Sequence, residues 1–208
     1  MPDVDVVYSA GGTDPVHTIS DGVSEPTALA FDKSGNLYVA NANASYGTVT
    51  VYAPGSGEVL RTLSSHFNSP NALLFDFRGD LYVLNWSGQD VVVFAAGTSG
   101  VKRVISRNID YPSRMALDRF GNLYVVNYGS SSDVTVYGGP RMAYKYAITD
   151  GLDAPYWLTF DLIGNLYVSS QSNNTIAVYA PGKRTLLRTI TDGVDEPIAV
   201  AFEALRKR

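Results

Sequence analysis

One short segment, Gly followed by Asn or Asp and then Leu-Tyr-Val, returns four times along this chain, beginning at Gly35, Gly79, Gly121 and Gly164. A proline stands nine residues ahead of each glycine, at Pro26, Pro70, Pro112 and Pro155, and a fifth follows at Pro197, so that the proline spacings are 44, 42, 43 and 42. An aromatic residue precedes the next proline by 18 residues at Tyr52, Phe94, Tyr137 and Tyr179, and Tyr8 keeps the same distance from Pro26. A repeat of this length constrains the chain more than any local propensity. Each unit must be the same supersecondary piece, and a piece that small buries its apolar faces only against its neighbours.

Each unit reads as four strands, here called a to d. In the first complete unit these are the run after Pro26, the Leu37-Tyr38-Val39 segment, Thr48 to Tyr52, and Val59 to Leu63, joined by a tight turn, a polar loop and a Gly/Pro turn. Asp32, Asp76, Asp118 and Asp161 head the a–b turn, where a short carboxylate accepts local backbone N–H groups, and the glycine three residues on takes positive φ. These four acids are read as turn formers. Four short strands in such a unit, repeated, describe a blade of an all-β β-propeller. The blade intervals are 20–63, 64–105, 106–148 and 149–190, within a single domain spanning 1–208.

The pattern Asp-x-x-Gly-Asn-Leu-Tyr-Val-x-Asn followed by Val-x-Val-Tyr-Ala-Pro-Gly resembles NHL-repeat propellers over nearly the whole chain. The resemblance implies a propeller fold and leaves function open, since that family includes scaffolds, ligand binders and enzymes. Residues 3–19 supply a c and a d strand, and Pro197 to Phe202 one more a strand, for nineteen in all. The expectation is a five-bladed propeller whose last blade is built from both termini, 1–19 plus 191–208, and lacks strand b. In its place stands Glu203-Ala204-Leu205-Arg206-Lys207-Arg208, which has no turn glycine. Such a gap leaves unpaired strand edges, so a monomer or a weak dimer through the incomplete blade is expected.

Composition closes off several alternatives. With 16 Lys and Arg against 20 Asp and Glu, and one basic run at the C-terminus, nothing presents a footprint for nucleic acid. Cysteine is absent, which removes thiolate metal sites and Cys nucleophiles. No apolar run approaches the roughly 20 residues of a membrane helix, and the first residues are not those of a secretory signal. No membrane partner is expected, and the compartment is left open.

Function should show where the repeat departs from itself. All the length variation lies in the b–c loop, where the distance from the strand-b valine to the strand-c aromatic is 13, 11, 12 and 11 residues. That loop shares one end of the blades with the d–a loops, the end expected to bind. Its rim collects Asn41, Asn85 and Asn127, followed in the last two cases by Trp86 and Tyr128. Amides and aromatic rings suit a polar, carbohydrate-like ligand, although asparagine at a strand end also caps loop backbone. On strand a, Arg114 and Trp157 interrupt a row of alanines at Ala28, Ala72 and Ala199 and should be neighbours, with a guanidinium over an indole or the two plugging a central hole. The candidate binding set is therefore Arg114, Trp157, Trp86, Tyr128, Asn41, Asn85 and Asn127. No catalytic residue and no metal ligand is named. His66 takes the place of Gly22, Gly151 and Gly193, a turn position, and His17 aligns with residues of outer strand d.

The leading expectation is a non-catalytic binding or scaffold propeller, with a protein or a carbohydrate-like polar molecule as partner and no cofactor. The alternative is a metal-dependent lactonase-like or lyase-like enzyme, drawn from a resemblance to gluconolactonase-type and streptogramin-lyase-type propellers. That resemblance implies a divalent cation held by oxygen ligands, with calcium at Glu25, Asn41, Asn85 and Asn127 as the option here. A second alternative is a propeller fragment or assembly module with no small-molecule ligand.

Overall fold

A computed structural model describes residues 5–8, 15–43 and 47–201, with backbone alone for 5–8 and 15–17. All the regular structure among them is β, and the chain divides into two compact units, Met1–Ser106 and Arg107–Arg208.

The first unit opens with β1 (Asp5–Tyr8) and β2 (Pro15–Ile19), which pair with each other as a two-stranded sheet. Two blades follow: β3 (Pro26–Phe31), β4 (Leu37–Asn41), β5 (Thr48–Tyr52) and β6 (Val59–Leu63), then β7 (Pro70–Phe75), β8 (Leu81–Asn85), β9 (Asp90–Phe94) and β10 (Val101–Ile105). The second unit holds two more: β11 (Pro112–Leu117), β12 (Leu123–Asn127), β13 (Asp133–Gly138) and β14 (Ala143–Ile148), then β15 (Pro155–Phe160), β16 (Leu166–Ser170), β17 (Thr175–Tyr179) and β18 (Leu186–Ile190). Each blade is a four-stranded antiparallel meander in a-b-c-d order. Repeated sheets of this kind define the all-β β-propeller class, as the repeat implies.

The Leu-Tyr-Val segment is apolar without alternation because strand b is buried on both faces. In the first unit Tyr38 and Ala40 meet Leu81 and Val83 of the next blade, while Leu37 and Val39 meet Ile19 and Tyr52. The tyrosine of strand b packs edge-on against the phenylalanine closing the next blade's strand a: Tyr38 on Phe75 at 4.9 Å, and Tyr124 on Phe160 at 5.1 Å. The strand-c tyrosines are fully buried, and their hydroxyls donate to d–a loop carbonyls, Tyr52 to Asp21 O at 2.7 Å and Tyr179 to Asp150 O at 2.5 Å.

The four turn aspartates act as read. Asp118 Oδ1 accepts from the N–H groups of Phe120 and Asn122 at 2.8 and 2.9 Å, and its Oδ2 from Asn122 Nδ2 at 2.7 Å. Asp32 and Asp161 repeat the pattern. In the second blade Asp80 replaces the asparagine and pairs with Lys102.

One strand expectation is corrected. Residues 197–201 carry no ladder, whereas strand a of each complete blade is paired with a Leu-Tyr-Val strand b. Phe202 and the segment from Glu203 to Arg208 lie outside the described residues, as does the side chain of His17.

Candidate functional site

A recurrent backbone device shapes the b–c and d–a end of each blade. The residue before every marker proline has positive φ: Glu25 at 48°, Ser69 at 54°, Tyr111 at 45°, Ala154 at 47° and Glu196 at 39°. In the first four its carbonyl accepts from the N–H of the residue that follows strand b, namely Ala42, Trp86, Tyr128 and Gln171. The proline needs no ladder donor. The residue after it is skipped in the register, so that Pro112 faces Asn127 while Arg114 faces Val126, and Pro155 faces Ser170 while Trp157 faces Ser169. A bulge there re-aims the skipped side chain, which in the fourth blade is Tyr156.

In the second unit this device assembles a cluster from two adjacent blades. The Arg114 guanidinium lies 4.7 Å from the Trp157 ring centroid and 5.9 Å from that of Tyr156, and its Nη1 donates to Ser113 O at 2.7 Å. Tyr156 stands perpendicular to Tyr128, with centroids 5.6 Å apart. Ser113 Oγ donates to Tyr156 O at 2.8 Å and joins the two a strands. The b–c loop beside Tyr128 holds a carboxylate: Asp110 accepts from Ser130 Oγ and from Ser131 N–H, each at 3.0 Å, and its own carbonyl accepts from Gly129 N–H.

The sequence-derived residues divide accordingly. Arg114, Trp157 and Tyr128 come together through Tyr156. Trp86 occupies the position equivalent to Tyr128 in the first unit, after β8. The asparagines are buried, and the reading of Asn41, Asn85 and Asn127 as an amide ring open to a ligand is corrected. Asn127 Oδ1 accepts from Asp110 N–H at 3.1 Å, and its Nδ2 donates to Asn108 O, Asp133 Oδ1 and Thr135 Oγ1 at 3.2, 2.6 and 2.6 Å. Asn41 and Asn85 tie their own d–a loops in the same way, to Ser24 and Gly22 and to Asn68 and His66. His66, with φ of 68°, is a turn residue whose carbonyl Asn85 uses.

Two residues escape the sequence reading. Tyr156 carried a signal, because the position after the proline is Thr27, Asn71 and Ser113 in the other complete units. Asp110 carried none, since Asp153 and Asp195 hold the same place before their prolines.

The carboxylates at the head of strand c are electrostatically distinct. Burial pushes Asp133 above the usual carboxylate range, opposed by hydrogen bonds from Asn127 and Thr135 and reinforced by the charge of Asp110. Asp90 is raised for the same reason, with Asn85 and His66 opposing. The residues present do not fit the divalent cation of the gluconolactonase-type resemblance. The asparagine oxygens at 41, 85 and 127 face backbone N–H donors, and among the described residues no three His, Asp or Glu side chains converge.

Blades, bulged rim and aromatic-arginine cluster together define a β-propeller with a candidate polar-ligand site. No family model and no curated protein matches the chain. Solved structures do, in 925 chains, a breadth that identifies an architecture and no single activity. One is a protein from Lactobacillus plantarum, with a TM-score of 0.69 and 18% identity over 84% of this chain and 59% of that one. Another is a putative 6-phosphogluconolactonase from Bacteroides uniformis, with a TM-score of 0.69 and 17% identity over 84% of this chain and 56% of that one. The chain thus spans less than two thirds of the length of either neighbour, and at these identities the likeness shows the β-propeller fold alone. The activity named for the Bacteroides protein is enzymatic. That name runs against the expectation of a non-catalytic binding or scaffold propeller and agrees with the enzyme alternative.

Proposed function

We propose that this chain is a lactonase-like propeller that hydrolyses the ring ester of a sugar-acid lactone at the b–c and d–a end of its second unit. The observation that carries the reading is the stack of Arg114 on Trp157, flanked by Tyr156 and Tyr128. Aromatic faces take the C–H face of a sugar ring, and a guanidinium fixed by stacking is preorganised for the oxygen that becomes anionic when water adds to an ester carbonyl. Asp110 is the base in this scheme. It accepts a proton from the attacking water and returns it to the departing ring oxygen, giving a hydroxy acid. The neighbour's name, that of a putative 6-phosphogluconolactonase, supports the lactone class of substrate. The Asp-x-x-Gly-Asn-Leu-Tyr-Val pattern supports a further assignment of the blades to the NHL type.

The test is acid release from glucono-δ-lactone and its 6-phosphate, followed with a pH indicator against spontaneous hydrolysis. Arg114→Ala is expected to lower kcat/KM about 100-fold, the size of one lost oxyanion donor. Trp157→Ala is expected to act mainly on KM. Parent protein that accelerates neither lactone overturns the proposal.

A further inference from the structure

Where two complete blades adjoin within a unit, strand a of the second lays a leucine and a phenylalanine against the first. Leu73 and Phe75 pack on a core that includes Tyr38 and Ala40 of strand b and Val49 and Val51 of strand c. Leu158 and Phe160 pack on the equivalent Tyr124, Val126, Val134 and Val136. The strand a of the first complete blade, β3, carries the same pair as Leu29 and Phe31, yet these stand 56% and 59% exposed.

The rest of that junction is in place. Ile19 holds the position of Leu63, seven residues before its proline, and packs with Val23 on Leu37, Val39 and Tyr52. β1 and β2 pair in the register of β5 and β6, bulge included: Val7 faces His17 as Val51 faces Arg61, and Asp5 faces Ile19 as Val49 faces Leu63. β5 is paired on its other side with β4, whereas β1 pairs with β2 alone among the described residues. In the geometry of the other junctions, the strand that pairs with strand c on this side is the one that covers the leucine and phenylalanine of the next strand a.

We propose that the open edge of β1 and the exposed pair Leu29 and Phe31 accept an extended segment of another polypeptide that carries the repeat's own Leu-Tyr-Val sequence. The register follows from β4 on β5, where Leu37 faces Tyr52, Tyr38 faces Val51 and Ala40 faces Val49. The donor's leucine therefore falls opposite Tyr8, its tyrosine opposite Val7 and the residue after its valine opposite Asp5. Main-chain bonds to the edge of β1 supply affinity. Specificity comes from the donor tyrosine edge-on to Phe31, as Tyr38 meets Phe75 at 4.9 Å. A second copy of this chain has no such segment to give, since β4, β8, β12 and β16 are buried along their whole length and paired on both sides. The face belongs to the first unit and does not depend on the lactonase reading.

The experiment is a fluorescence-anisotropy titration of the full chain into a dye-labelled peptide with the sequence of residues 32–41, Asp-Lys-Ser-Gly-Asn-Leu-Tyr-Val-Ala-Asn. Saturable binding below about 1 mM is expected, and about tenfold weaker binding when serine replaces the peptide's tyrosine. Saturating peptide should raise the melting temperature of the parent. Phe31→Thr should weaken the peptide about tenfold while leaving the melting temperature of the free chain within about 2 °C, because the ring is exposed. No saturable binding, or equal affinity in the serine peptide or in Phe31→Thr, overturns the proposal. So does a parent dimer that Phe31→Thr dissociates and the peptide does not displace, since a second copy then covers the face.

Discussion

Arg114 and Trp157, 43 residues apart in sequence, stack at 4.7 Å because they hold the same register position on the a strands of consecutive blades. A half-buried guanidinium on an indole contributes about 1 kcal/mol to stability. If the pair were only a filler between strands, stability and activity would fall together. Arg114→Lys keeps the charge and loses the planar stack, so it is expected to cost under about 1 kcal/mol in urea denaturation yet lower lactone kcat/KM more than tenfold. Equal, small effects on both would assign the pair to packing.

The repeat made the blades legible before any coordinates, because proline, turn aspartate and Leu-Tyr-Val are each required by the geometry of a strand buried on both faces. Arg114 and Trp157 were legible as breaks in an alanine row. The fate of Asn41, Asn85 and Asn127 was not: a strand-end asparagine facing solvent and one folded back on a loop have the same spacing, and only the positions of Gly22, His66 and Asn108 decide between them. Asp110 was hidden for a related reason. Its role comes from the Ser130 and Ser131 contacts of a loop whose length varies from blade to blade.

Asn127 bonds to four groups from a side chain with no exposure. Asn127→Leu keeps the volume, removes the acceptor of the Asp110 N–H and leaves Asn108 O to Thr135 Oγ1 alone. A loss of about 2–4 kcal/mol is expected from chemical denaturation. Asn127→Ser should cost less, since Ser170 does the equivalent work in the fourth blade through bonds of 2.7 and 3.0 Å with Asp153.

Asp133 gives a pH dependence of defined sign. Its folded pKa lies above the usual value through burial, so between the two values the folded state holds more proton than the unfolded. The favourable contribution is therefore complete below the unfolded value of 3.8 and is lost as pH rises through the raised folded value. Asp133→Asn is expected to gain stability on the parent at pH 7 and to lose that advantage near pH 3.5, read as urea midpoints at the two pH values. A variant uniformly less stable at both would mean that the carboxylate is needed in its ionised form by Asn127 and Thr135.

The left-handed residue ahead of each proline is the remaining lever, because it precedes the bulge that aims Tyr156 at Arg114. At Ala154 the φ of 47° carries a steric cost of about 1 kcal/mol that glycine does not have, and its carbonyl is held by Gln171 N–H. Ala154→Gly is therefore expected to raise stability by about 0.5–1 kcal/mol and to leave the bulge in place. Ala154→Val, β-branched at the same φ, should lower stability by more than about 1 kcal/mol and displace Tyr156. The displacement is read from the Tyr128–Tyr156 ring contact by aromatic ring-current shifts, and lactone KM should rise with it. Unchanged ring shifts in a destabilised Ala154→Val protein would show that Tyr156 is positioned by Ser113 Oγ and Ser132 Oγ, which already bind this segment at 2.8 Å each, and not by the backbone turn.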